Sequence, residues 1–261
     1  MTWVSLALLA FGVADLVRAR DGRMPLSLAP FAGVLTLVAL SIITDVHRPA
    51  DIAALVVTAV ALTGWVVTSA QTHATGRRAG VPLALIAVLF GALVAFSGFA
   101  STPGGPLADW LAWADLPWSD APPSVARALL LAGLVLLNIA TGNVIVRLVL
   151  LAIGALRPDQ VAAARASSGD PQPADRLKGG RLLGPMERLV ILGLGLAGEY
   201  GAASIVIAAK GLLRFPEIQA TARTAPPSSS SRVGIDDVTE YFLVGSFVSW
   251  LVALGSLALA R

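Results

Sequence analysis

The sequence predicts an all-α protein, a polytopic transmembrane helical bundle of about seven spans, and three observations carry that prediction. Hydrophobic residues make up 56% of the chain and charged residues only 13%, whereas a soluble domain has roughly a quarter of its residues charged. The mean hydropathy is +0.78, which leaves too little polar surface to meet water on every side. The apolar residues also gather into runs long enough to cross ~30 Å of hydrocarbon as helices.

The first span, residues 2–17, runs into Arg18, Arg20 and Arg23 with no basic segment before it and no small-residue cleavage site. It reads as a retained anchor rather than a removed signal peptide. The next three cover 25–44, 51–70 and 81–100. The fifth, 125–156, would be roughly 48 Å long as a straight helix, so it must tilt, kink or project. The sixth fills the stretch between Arg188 and Lys210, and the seventh covers 238–260. Between the fourth and fifth, ADWLAWADLPW sets Trp110, Trp113 and Trp118 beside Asp109, Asp115 and Asp120, the pattern of a short interfacial helix.

Polar segments divide the chain. Residues 1–156 form an N-terminal five-helix membrane region and 157–183 a polar inner linker containing PDQVAAARASSGDPQPAD. Residues 184–261 form a C-terminal two-helix membrane region with a Ser-rich loop at 225–234. Low-complexity, Pro- and Ser-containing stretches of this kind do not build a packed core.

Cysteine is absent and histidine is limited to His47 and His73. That excludes disulfides, thiol nucleophiles, Cys-ligated metals and an all-histidine site, and no cofactor or metal is expected. The net charge of +3 is spread among loops, which points away from nucleic acid. Alternate loops hold Arg18, Arg20, Arg23, Arg77, Arg78, Arg157, Arg165, Arg176, Lys178, Arg181 and Arg188, against Arg48, Arg127, Lys210, Arg214, Arg223 and Arg232 opposite. The excess predicts a cytoplasmic face for the first group, with the N-terminus outside and the C-terminus inside.

The candidate centre lies in the sixth span, ERLVILGLGLAGEYGAASIVIAAKGLLRF, where Glu199 is the midpoint. Its Gly193-Leu-Gly195-Leu-Ala-Gly198 matches the dinucleotide fingerprint in form only, because no strand and no water-exposed helix start accompany it. Gly193, Ala197 and Gly201 recur every four residues instead, a small-residue groove for a neighbouring helix. Arg188, Glu199 and Lys210 are spaced by eleven and share one stripe. The terminal cations fit snorkelling at the two interfaces; the central acid should turn inward.

The fifth span offers it partners: Asn138, Thr141, Asn143 and Arg147. Counted from Arg157 and Arg188 as interface markers, Arg147 and Glu199 both lie about 15 Å deep. The expectation is an Arg147–Glu199 pair with Asn143 and Asn138 beside it, and Asp15 as a further member. At the outer ends of the last two spans, Lys210 or Arg214 is expected to pair with Glu240.

KGGRLLGPMERLVILGLGLAGEYGAASIVIAAKGLLRFPEI (178–218) and EYFLVGSFVSW (240–250) together resemble the C-terminal region of the bacterial DUF3307 membrane proteins. The matching positions are Gly184, Glu187, Arg188, Ala208, Ala209, Lys210, Arg214, Phe215, Glu217, Glu240, Tyr241, Leu243 and Gly245. The resemblance implies a bacterial inner-membrane protein and groups Glu187, Arg188, Lys210, Arg214 and Glu240 as one motif unit. It implies no reaction.

Three function classes stay open. With no catalytic constellation and with helix-packing grooves, the first is a non-catalytic membrane-embedded binding, regulatory or partner subunit. Its partners would be the lipid bilayer, an anionic lipid or another membrane protein. The second, translocation of a small solute or ion, rests on the intramembrane Arg, Glu and Asn. The third is an enzyme acting on lipid, for which only Glu187, Glu199, Glu217 or Glu240 could supply acid–base chemistry.

Overall fold

TWVSLALLAFGVADLV is apolar on every face, and a helix without a polar face belongs inside a bundle. In the computed structural model, which describes residues 1–20, 27–114, 123–155, 180–209, 212 and 232–261, this stretch is the central helix α1 (Thr2–Arg20). Its residues from Thr2 to Gly12 are buried throughout. All secondary structure among the described residues is helical.

Around α1 stand α2 (Leu28–Ile43), α3 (Pro49–Thr75) and α4 (Gly80–Ala95). Pro49 opens α3, where its missing N–H costs nothing, and the Arg48 amide donates back to Asp51 Oδ2 at 3.1 Å. Gly76, with φ +67°, closes it in the left-handed conformation that only glycine adopts without strain. The Trp-rich stretch forms the short helix α5 (Gly105–Trp113), with Trp110 and Trp113 exposed and Leu111 buried. Trp118, Asp115 and Asp120 lie outside the described residues.

The long fifth segment is interrupted by a break in the regular helical ladder. It runs as α6 (Val125–Leu136), a π-turn (Leu137–Thr141) and α7 (Gly142–Ala152). The chain resumes as α8 (Gly180–Leu196), α9 (Tyr200–Ala209) and α10 (Arg232–Ala260).

Glycine sets the closest helix approaches. A Cβ on Gly133 of α6 would lie 2.8 Å from Leu8 Cβ, and one on Gly12 would lie 2.6 Å from Leu136 Cβ. Small residues at these crossings let the helix backbones approach closely. Phe11 fills the next layer, 6.3 Å from the Trp65 ring and edge-on to Phe90 at 5.8 Å. Outward, α2 shows Phe31, Leu35, Val38 and Ile42 as one exposed apolar stripe. Among the described residues four stretches are long and apolar enough to cross a membrane: Thr2–Ala19, Pro49–Thr75, Val125–Ala152 and Leu243–Ala260.

Side-chain contacts fix the directions. Trp3 meets Asp51 and Arg18 meets Ser69, so α1 and α3 are parallel. Gly133 meets Leu8, and Thr141 adjoins Asp15, so α6 and α7 also run with α1. Asn138 meets Arg188 while Asn143 adjoins Gly184, which sets α8 antiparallel to them. Gly245 sits against Val146 and Leu150 while Ser256 bonds Asn138, which sets α10 antiparallel as well.

Two expectations are corrected by these directions. First, α8 and α10 are parallel, with Arg188 against Ser249 and Gly195 against Leu257. The end of α8 and the start of α10 therefore lie at opposite ends of the bundle, and Glu240 sits toward the end where α8 begins. Second, the start of α1 and the end of α10 lie at the same end of the bundle, not at opposite ends as the expected orientation requires.

Candidate functional site

The π-turn places a polar layer at the middle of the bundle. An α-helix bonds each amide to the carbonyl four residues back; here the Gly142 amide reaches Leu137 O, five back. The carbonyl of Asn138 is thereby released from the helix ladder. Arg188 takes it up: Nε donates to Asn138 O at 2.9 Å.

The rest of the guanidinium is held by neutral oxygens. Nη1 donates to Ser249 Oγ of α10 at 3.0 Å, and Nη2 donates to Asn143 Oδ1 of α7. Arg188 is only 2% exposed, and its planar fork suits three acceptors on three elements. Gly142 makes the approach possible, because a Cβ there would stand 3.1 Å from Nε. The carboxylate that attracts it is the adjacent Glu187. The neighbouring Glu187 is also buried and accepts from Trp250 Nε1 at 2.8 Å. Asn138 adds a further tie to α10, its Nδ2 donating to Ser256 Oγ at 2.9 Å.

A second buried group lies across the π-turn. Asp15, 2% exposed, pairs with Arg18 at 2.9 Å and accepts from the Trp65 indole. Arg18 also donates to Ser69 Oγ at 2.6 Å. Thr141 adjoins the same carboxylate without completing a well-shaped hydrogen bond. A third joint sits at the Met1 end. There the fully buried Asp51 accepts from Trp3 Nε1 at 2.7 Å, Ser101 Oγ at 2.6 Å and the Ser101 amide at 3.1 Å.

The expected Arg147–Glu199 centre is not formed. Arg188, used as the interface marker, is instead level with Asn138 in mid-bundle. Glu199 lies eleven residues farther on, at the end where α6 begins, while Arg147 lies toward the opposite end. With Asn143 level with Gly184, Arg147 is level with about residue 180, so some 28 Å of helical rise separates it from Glu199. Arg147 and Glu199 are both exposed.

Glu199 is not inside a continuous span either. Gly198 has φ +83°, its amide bonds Gly195 O, and the Glu199 amide bonds Leu194 O at 2.8 Å. These paired bonds are those of a Schellman stop, so α8 ends at Leu196 and Glu199 immediately precedes α9. Among the described residues nothing lies within 4 Å of where a Cβ would sit on Gly193 or Gly201; the tight contact in this stretch is Gly195 against Leu257.

Of the motif unit, Glu187 and Arg188 are brought together in the buried layer. Lys210 and Arg214 lie outside the described residues, and Glu240 lies on α10. Asn138 and Asn143 do serve a buried cation, but it is Arg188 rather than Arg147. Ser249, Trp250 and Ser256 were missed because small hydroxyls and tryptophans are common in spans. The signal was the pair of doublets, Glu187-Arg188 and Ser249-Trp250, lying side by side on neighbouring helices.

Comparison with protein-family models, curated proteins and solved structures finds no match to the chain.

Proposed function

We propose that the chain is a multi-pass protein of a bacterial inner membrane acting as a non-catalytic, membrane-embedded binding or regulatory partner subunit. The observation that carries this reading is the use made of Arg188. Its guanidinium is consumed in joining the π-turn, α7 and α10 through neutral acceptors, and none of those groups is a base placed beside a nucleophile. Asp15 and Asp51 are likewise spent on neighbouring helices.

In this reading α1, α2, α3, α4, α6–α7, α8 and α10 are the spans. The parallel course of α8 and α10 adds a return of the chain between residues 197 and 231. The cation-poor end, with α5 and both termini, would face outside. The outward apolar stripes would meet lipid or a partner's helices, and an anionic headgroup remains a candidate ligand for the loop cations.

A second reading, translocation, is favoured by the break at Gly198, because interrupted helices line many transport pathways. Native mass spectrometry after purification in mild detergent separates the two. A second polypeptide or a specific lipid at fixed stoichiometry supports the subunit reading. A chain that purifies alone and carries solute or ion flux in liposomes overturns it in favour of transport.

A further inference from the structure

The helix α6–α7 contains one residue more than a regular α-helix would hold between its two packed halves, and the surplus is stored in the π-turn Leu137–Thr141. Single π-turns of this sort concentrate where a helix has work to do. Here the turn is poorly matched to its surroundings, because Asn138 Oδ1 is buried with no hydrogen-bond partner among the described residues. One contact favours it directly: Arg188 Nε replaces the amide that Asn138 O would otherwise receive. Gly142 leaves the space for that guanidinium, 3.1 Å and 3.2 Å from where a Cβ would meet Nε and Cζ.

We propose that the π-turn is a helix-register switch latched in its π form by Arg188, and that α7 is the half that moves. When Arg188 withdraws, the Gly142 amide returns to Asn138 O and the turn becomes α-helical. The change turns α7 by about 100° and advances it ~1.5 Å, one residue of helix. Each position on α7 then takes the direction its successor holds now. Val146 takes the outward place of Arg147, and Arg147 takes the buried place of Leu148.

The asymmetry of packing assigns the motion to α7. α6 is clamped to α1 at Gly133 and Gly12, where added Cβ atoms would lie 2.8 Å and 2.6 Å from their neighbours. α7 meets α10 more loosely, Gly245 standing 3.5 Å from Leu150 Cδ1 by the same measure. The device couples a displacement of α8 to the face that α7 turns outward, which is what a regulatory subunit would need to signal through its surface.

The chain contains no cysteine, so single thiols can report the register. Val146→Cys, Arg147→Cys and Leu148→Cys proteins would be labelled with a maleimide in detergent, in the native and the Arg188→Met background. In the native background position 147 should label fastest; with Arg188→Met the maximum should shift by one residue, to 146. Deleting Ile139 from the Arg188→Met protein removes the surplus residue, and the maximum should return to 147. If Arg188→Met alone does not fold, the same deletion should restore a monodisperse protein. Labelling that stays fastest at 147 in a folded Arg188→Met protein overturns the proposal, and so does a misfolded one that the deletion fails to rescue.

Discussion

The indole Nε1 of Trp65 on α3 donates to both oxygens of the Asp15 carboxylate on α1, at 3.2 and 3.1 Å. Trp65 is fully buried, so its N–H has no recourse to water. The same carboxylate neutralises Arg18, which reaches on to Ser69 of α3. One acid therefore joins two parallel helices through a neutral donor and a charged one.

Replacing Asp15 tests that joint. Asp15→Ala strips the acceptor from a buried indole and the counter-ion from Arg18, and is expected to cost about 3–5 kcal/mol. Asp15→Asn keeps an acceptor for the indole and should lose less, about 1–3 kcal/mol. Thermal unfolding of both proteins in one detergent checks the order. An alanine variant as stable as the native chain would show that the joint contributes nothing.

The Arg188 layer makes a prediction about coupling. Ser249→Ala and Asn143→Ala each remove one acceptor from the guanidinium, and each should cost about 1–3 kcal/mol because a buried N–H loses its partner. Their combined loss should depart from the sum of the two, since both act on one group. Ser249 is the more telling of the pair, being 5% exposed while Asn143 borders the surface. Strict additivity in a double-mutant cycle would mean that the two contacts are independent of Arg188.

The class of fold was legible in the sequence because burial of every residue from Thr2 to Gly12 requires the apolar composition that those positions show. The short helix Gly105–Trp113 falls within the stretch where ADWLAWADLPW predicts one. The site was less so. Asn138 and Asn143 stood out as polar residues in an apolar run, but their partner depended on where α8 starts, and α8 starts at Gly180 rather than at Arg188. Shifting the interface by about two turns moves Arg188 from a snorkelling end to mid-bundle, and moves Glu199 out of the centre. The parallel course of α8 and α10 was beyond periodicity altogether, because helix spacing carries no direction.

Topology can be checked on the termini. Thr2, Ser101 and the end of α10 share one end of the bundle, with Thr2 Oγ1 donating to Ser101 O at 2.8 Å. Alkaline phosphatase fused after Trp113 and after Arg261 should therefore give the same result, and fusion after Gly154 the opposite one. By the cation rule the first two should be active. Unlike results for the fusions at 113 and 261 would place the chain ends on different sides and contradict the helix directions.

Glycines that look alike in sequence should behave oppositely. Gly133→Ala drives a methyl to 2.8 Å from Leu8 Cβ and 3.2 Å from Ser5 O, and overpacking of this kind should cost about 1–3 kcal/mol. Gly193→Ala faces open space within α8, and alanine there should stabilise the helix by up to about 1 kcal/mol. Melting temperatures that move down for the first and stay level or rise for the second are the expected outcome. A large loss at Gly193 would restore the small-residue groove as a packing surface.

The break between α8 and α9 gives the last contrast, between adjacent residues. Gly198 is held at φ +83°, a conformation that costs an L-residue about 1–2 kcal/mol, so Gly198→Ala should destabilise although nothing lies within 4 Å of its Cβ position. Glu199 is exposed and its structural role is carried by its backbone, the amide bonding Leu194 O and the carbonyl accepting from Ala203 at 3.1 Å. Glu199→Gln preserves both of those bonds and should change stability by no more than about 0.5 kcal/mol. An acid paired with Arg147 in the membrane centre would respond very differently, with about 3–5 kcal/mol lost on neutralisation. Parallel melts of the two variants therefore decide whether the turn or the charge matters at this position: a tolerant Gly198 with a costly Glu199 would mean that the helix is continuous and the acid buried.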